Sequence, residues 1–144
     1  MRRVWLCLAL VVVAGLVAPV AIFWCPIVPA WRDHAYRNLI YDQIAHQVVE
    51  GASSTEEILE RLAEYVATHI WPPLDEAPYD GKPLDYLVRG IGWCDYQAKA
   101  YRDLLATQGI AARYAMLRRA DGISPHTVTE VWQGGRWGVY DTLF

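Results

Sequence analysis

The sequence has few cysteines, no surplus of basic charge, no internal repeat and no low-complexity tract. Each absence narrows what the chain can be. Three cysteines in 144 residues are too few for a disulfide scaffold. With 13 basic and 16 acidic residues the net charge is −3. Without Arg2 and Arg3, residues 32–144 carry 11 basic against 16 acidic side chains, which argues against a nucleic-acid partner. His46 and His69 have no partner at metal-ligand spacing and read as satisfied or surface histidines; no metal or organic cofactor is implied. A chain of this length reads as one domain with a modest core.

What the chain does have is a concentrated apolar start. It is 54% hydrophobic, and Val4–Trp24 is an uncharged, mostly apolar run. As a helix rising ~1.5 Å per residue this run is about 31 Å long, enough to span a bilayer. Arg2 and Arg3 precede it, so the positive-inside rule puts the N-terminus in the cytoplasm and the rest on the periplasmic or extracellular side. The run exceeds the apolar core of a cleaved signal peptide and lacks a small-residue cleavage site, so an uncleaved anchor is expected. Cys7 then lies in the membrane and Cys25 at its outer edge. Residues 1–31 form the N-terminus, anchor and lead-out, with Pro26 and Pro29 ending the membrane helix; residues 32–144 form the exported domain. Its own thiol, Cys94, is unusual in an oxidising place unless it is used.

Periodicity predicts a helix over Asp33–Val49 with Leu39, Ile40, Ile44, Val48 and Val49 as its apolar stripe. Tyr36, Tyr41 and His46 face either the domain or lipid headgroups. Ser54 and Glu57 read as a capping box opening a helix with Ile58, Leu59, Leu62, Val66 and Ile70 on one face, closed by Trp71-Pro72-Pro73. Residues 71–92 read as a loop with one short turn at Asp85–Val88, long enough to wall a cleft. A small, flexible approach over Gly90-Ile91-Gly92 leads to a helix in which Ala98, Tyr101, Leu104 and Leu105 recur, stopped by Gly109. Strands follow at Ile110–Leu117, His126–Trp132 and Trp137–Asp141, the last two joined by the turn at Gly134-Gly135.

Cys94 is thus placed at a helix start, where unpaired N–H groups and the positive end of the helix dipole favour the nucleophilic form of a thiol. The hairpin supplies its partners. A two-residue turn pairs Gln133 with Arg136, Trp132 with Trp137 and Val128 with Asp141. His126 and Asp141 then share a face as diagonal neighbours, ~7–8 Å apart between backbones. A slip of one residue would separate them. A carboxylate that orients an imidazole, and an imidazole that activates a thiol, make a Cys-His-Asp nucleophile system. Trp93 is a candidate wall of the acyl pocket, and equally a core tryptophan.

Gly92-Trp93-Cys94-Asp95, Leu104-Leu105 with Gly109-Ile110-Ala111-Ala112-Arg113, His126 with Glu130-Val131-Trp132, and Gly135-Arg136-Trp137 with Asp141 occur in that order. Over residues 55–144 this pattern resembles the transglutaminase-like domain of the papain-like cysteine-enzyme superfamily. The resemblance implies an α+β fold, with helices packed on an antiparallel sheet behind the N-terminal transmembrane helix. It matches Cys94 to the nucleophile, His126 to the base, Asp141 to the orienting acid and Arg113 to a structural residue behind the site. Such families include crosslinkers, peptidases, amidases and inactive binding modules. Two roles follow for this chain. One is a membrane-anchored extracytoplasmic enzyme that cleaves or transfers a peptide or protein amide through a Cys94 thioester. The other is a silent accessory subunit that docks onto a larger membrane complex, with seven tryptophans available for contact. The chain stops three residues after Asp141, so the acid is expected near a fraying end.

Overall fold

A computed structural model describes residues 27–72 and 81–143, together with Gly15. The apolar run 4–24, Cys7, Cys25 and the proline-rich stretch 73–80 otherwise lie outside the described residues. Among the described residues no helix is long and apolar enough to cross a membrane. The chain divides into two compact units, Met1–Arg37 and Asn38–Phe144.

Of the first unit, the described part is helical. It belongs to α1 (Ile27–Val48), which is already helical at Ile27 rather than starting at Asp33. Pro29 therefore does not end a helix but sits in the first turn of the described one. There its missing N–H is no loss and its fixed φ suits the helix. Trp31 and Tyr36 are exposed, and Arg37 pairs with Asp33 at 3.2 Å.

The second unit is α+β, with helices packed on a three-stranded antiparallel sheet of order β1-β2-β3. The remainder of α1 presents Tyr41 and Ala45 to the core, with Ile40, Ile44 and Val48, and Val49 just beyond the helix, packed beside them as predicted; Leu39 alone of that stripe is 65% exposed. Leu39 lies at the edge of the stripe, where a turn of the helix towards Tyr41 and Ala45 leaves it in solvent.

Helix α2 (Thr55–His69) starts where expected. Ser54 Oγ accepts the N–H of Glu57 at 3.2 Å, while Glu57 reaches back to the N–H and hydroxyl of Ser53, at 2.8 and 2.9 Å, instead of to Ser54. Those bonds hold the Glu57 carboxyl below its ordinary range. Leu59, Leu62 and Val66 are fully buried, each contributing about 1.5–3 kcal/mol by burial.

The segment predicted as loop with one turn holds a longer helix, α3 (Pro83–Arg89). Its N-terminus is set by Pro83 and by Asp85 accepting the Lys82 N–H at 2.8 Å, a start signal hidden among loop-forming prolines. Helix α4 (Cys94–Thr107) is the centre of the domain: Ala98, Ala100, Tyr101, Leu104 and Leu105 are buried. It packs on α2 and α3 on one side and on β1 (Ala112–Leu117) and β2 (His126–Gln133) on the other.

The hairpin from β2 to β3 (Arg136–Tyr140) turns through Gly134 and Gly135 at φ 59° and 82°. These are the two positive φ values that a tight two-residue hairpin turn requires. Its register is the expected one, Gln133 opposite Arg136 and Trp132 opposite Trp137. Alternation sends Thr129 and Val131 to the buried face, both fully buried.

Tyr101 ties the layers together, its hydroxyl donating to the Leu59 carbonyl at 3.0 Å from a fully buried site. Burial, with Tyr140 nearby, raises the phenol far above its ordinary value of 10.0. The unfolded chain ionises near the ordinary value while the folded one does not, so stability is present below pH 10 and lost as pH rises above it. Tyr101→Phe should lower stability at neutral pH by about 1–2 kcal/mol, through the orphaned carbonyl. It should also flatten the alkaline decline. Urea midpoints at neutral and strongly alkaline pH test this; equal declines in both proteins would refute it.

Candidate active site

The sequence places Cys94 as the first residue of α4, after Trp93 in an extended conformation as N-cap. The N–H groups of Tyr96 and Gln97 bond to the Trp93 carbonyl at 2.9 and 3.1 Å. Those of Cys94 and Asp95 have no intrahelical acceptor, as at any helix start. Cys94 is a free, half-buried thiol. Asp95 pairs with Lys99 at 3.0 Å, and Lys99 lies 4.7 Å over the Tyr96 ring, so the charges of this turn are held along the helix.

The approach to Cys94 is not the flexible one that its glycines suggested. Gly90 closes α3 in the left-handed conformation at φ 72°, its N–H bonded to the Tyr86 carbonyl at 2.8 Å. Ile91 then forms a parallel bridge with Trp71: the Trp71 N–H donates to the Gly90 carbonyl and the Gly92 N–H to the Trp71 carbonyl, both at 2.9 Å. Gly92 is wedged so that a Cβ would stand 3.1 Å from both Ile70 Cγ2 and Tyr86 Cδ1. Stacking of Tyr86 on Tyr96, 3.5 Å between centroids, closes the same corner.

A further residue that the motif reading passed over completes the clamp. Gln97, three positions after Cys94 and 1% exposed, donates from Nε2 to the Ile70 carbonyl at 2.6 Å. Among the described residues its Oε1 has no partner. A glutamine four residues before Tyr101 and seven before Leu104, on the helix's apolar stripe, was the available signal, since a buried amide is costly unless it makes a bond the fold needs.

The structure brings His126 and Asp141 together. His126 Nε2 and Asp141 Oδ2 are 2.6 Å apart, and a carboxylate oxygen can only accept, so the ring donates from Nε2. Asp141 Oδ1 accepts the Leu143 N–H at 3.1 Å, and Thr142 is buried. Both carboxylate oxygens are therefore engaged, and the segment expected to fray is held at Asp141–Leu143. The ring and carboxylate are mostly shielded, with side-chain exposures of 18% and 32%.

Two contacts orient Cys94 relative to this pair. The Thr129 hydroxyl donates to the Ala98 carbonyl at 3.1 Å, and the Trp132 N–H donates to Ala111, just past the far end of α4, at 2.9 Å. Helix α4 and β2 therefore run in the same direction. Stepping back from the Thr129–Ala98 contact, Cys94 is about 6 Å along the helix and His126 about 10 Å along the strand, towards the same end. Alternation puts His126 and Asp141 on the sheet face opposite to Thr129. His126 is the first residue of β2, at the end of the strand towards which α4 begins.

Trp93, the remaining candidate, is 46% exposed rather than a core residue. Arg113 donates from Nε to Glu130 at 2.7 Å and lies 4.2 Å over the Trp137 ring, an exposed brace across the sheet. Among the described residues no group of His, Cys, Asp and Glu could hold a metal ion.

Comparison with known proteins bears on the fold and the family. A solved protein from Cytophaga hutchinsonii, provisionally described as a cysteine protease, superposes with a TM-score of 0.61 at 15% identity, covering 74% of this chain and 37% of its own. A solved TGase superposes with a TM-score of 0.58 at 18% identity, covering 74% of this chain and 32% of its own. The chain thus spans about a third of the length of these two structures, which at such identity share its fold. Among curated proteins no match is found. The family model of the transglutaminase-like superfamily matches residues 42–142, which include Cys94, His126 and Asp141, and the chain belongs to that superfamily.

Proposed function

We propose that this chain is a membrane-anchored, extracytoplasmic cysteine enzyme of the transglutaminase-like type, acting on a peptide or protein amide. The observation that carries the proposal is the 2.6 Å bond between His126 Nε2 and Asp141. It fixes the tautomer so that Nδ1 is the nitrogen that takes a proton from a thiol. The apolar run 4–24 behind Arg2 and Arg3 supports the anchor and the outward orientation.

The chemistry follows from those roles. The Cys94 proton passes to His126 Nδ1 as Sγ attacks the carbonyl carbon, forming a C–S bond and an oxyanion. The N–H groups of Cys94 and Asp95, pointing out of the helix start, stabilise that oxyanion. Collapse breaks the C–N bond, the imidazolium gives its proton to the departing amine, and a thioester remains. Water or a second amine then attacks the thioester while His126 takes its proton, and the thiol is regenerated. Water makes the enzyme a hydrolase; an amine makes it a transferase.

A second role rests on a separate observation. Trp132 and Trp137 are exposed as an edge-to-face pair with centroids 5.3 Å apart, suited to docking on a larger membrane complex.

One experiment separates the readings. Intact cells producing the chain are treated with a membrane-impermeant activated ester, and the peptide containing Cys94 is examined by mass spectrometry. The enzyme reading expects an acyl adduct at Cys94 that disappears in His126→Ala. No adduct in the native chain, even after permeabilisation, would remove the enzyme and leave the docking role. An adduct formed only after permeabilisation would overturn the orientation.

A further inference from the structure

We propose that Trp71, Ile91 and Trp93 form a subsite for a large apolar side chain next to the acyl group that Cys94 accepts. The inference rests on the thiol chemistry proposed above and adds a substrate preference to it.

The three residues come from two chain segments and are turned outward together. The parallel bridge sets Trp71 directly beside Ile91, and side chains paired in this way point to the same face. Alternation puts Trp93 on that face too, while Ile70 and Gly92 turn inward. Trp71 is 64% exposed, Ile91 43% and Trp93 46%. Contiguous apolar exposure of this kind on a small domain marks a contact surface.

The patch is also rigid. Trp71 Nε1 donates to the Thr68 carbonyl at 3.0 Å, the bridge holds the backbone on both sides of Ile91, and Gly92 is packed from below. Side chains fixed before binding lose little entropy on contact, which favours a recognition role over incidental exposure.

Its position selects the occupant. Trp93 immediately precedes Cys94, so a carbonyl carbon brought to Sγ carries its flanking groups across this face. Asp95, two positions after Trp93, is paired with Lys99, so that carboxylate is neutralised beside the surface. A bulky aliphatic or aromatic side chain on the acyl donor fits those terms.

The test uses two electrophiles on the full chain, iodoacetamide and N-benzyl-iodoacetamide, with N-acetylcysteine as the reference thiol. The benzyl-to-plain rate ratio at Cys94 should exceed the reference ratio by about tenfold or more, the scale of discrimination by an apolar site. Trp71→Ala and Trp93→Ala should bring the ratio to the reference, whereas Trp71→Phe and Trp132→Ala should keep it. A native ratio equal to the reference overturns the subsite, whatever the variants do. Self-association of the native chain that vanishes in Trp71→Ala, with no benzyl preference, overturns it in favour of a second copy as occupant. If His126→Ala also leaves both rates unchanged, the thiol chemistry fails with it; if His126→Ala slows both, that chemistry stands and only the subsite is lost.

Discussion

Asp141→Asn is expected to slow acylation of Cys94 by roughly two to four orders of magnitude, the range for losing an oriented general base. In some thiol enzymes asparagine serves as the orienting residue, so the expectation depends on this site. Here Asp141 accepts two bonds at once, from His126 Nε2 at 2.6 Å and from the Leu143 N–H at 3.1 Å. An asparagine has one acceptor oxygen. If that oxygen serves the imidazole, the amide NH₂ faces the Leu143 N–H, donor against donor. If it serves Leu143, the NH₂ faces the ring and favours the wrong tautomer. The loss corresponds to about 3–5 kcal/mol of transition-state stabilisation at 1.36 kcal/mol per decade. Burst kinetics with an activated ester measure it, with thermal unfolding as the control for fold. A variant within about threefold of the native rate, a difference well under 1 kcal/mol, would show that Asp141 does not orient the base.

Gly90→Ala is expected to be the most damaging single-methyl change in the domain's loops. At φ 72° an alanine is strained by about 1–2 kcal/mol. Its Cβ would also stand 2.9 Å from the His69 carbonyl oxygen, a backbone atom at the end of α2 that cannot swing aside. Together these should cost about 2–4 kcal/mol, lowering Tm on the order of 10–20 °C for a domain of this size. Gly51→Ala is the internal control. Its φ is 75°, but nothing lies within 4 Å, so it carries the conformational strain without the clash. The difference between the two variants measures the clash alone. Equal Tm losses would mean that the α2–α3 junction yields more readily than the bridge at Trp71 suggests. Because the same bridge leads into Cys94, Gly90→Ala should also slow alkylation of the thiol, whereas Gly51→Ala should not.

Features governed by short-range rules were legible. The Ser54 cap needed only a hydroxyl before an amphipathic run, and the glycine pair at 134–135 announced the turn that set the β2–β3 register. That register is why His126 and Asp141, fifteen residues apart, could be placed on one face before any coordinates. Where local signals compete, the sequence is ambiguous. Pro83 looked like one more loop proline but starts α3, and Leu39 fitted the edge of a stripe of which Ile40, Ile44, Val48 and Val49 pack on the core while it does not. Periodicity puts Gln97 on the buried stripe but could not name its partner: its bond to Ile70 spans 27 residues and serves a backbone carbonyl left at the end of another helix.

By itself the sequence determined which side chains could carry the chemistry, the helix start under Cys94 and the pairing of the ribbon. Each depends on turn geometry or on residues within a few positions. The tertiary structure alone decided that α4 and β2 run the same way, that Trp71 grips the Gly90–Gly92 segment and that Asp141 is held from both oxygens. Those outcomes depend on packing between segments distant in the chain, where burial and hydrogen-bond satisfaction choose among arrangements that local rules leave equal.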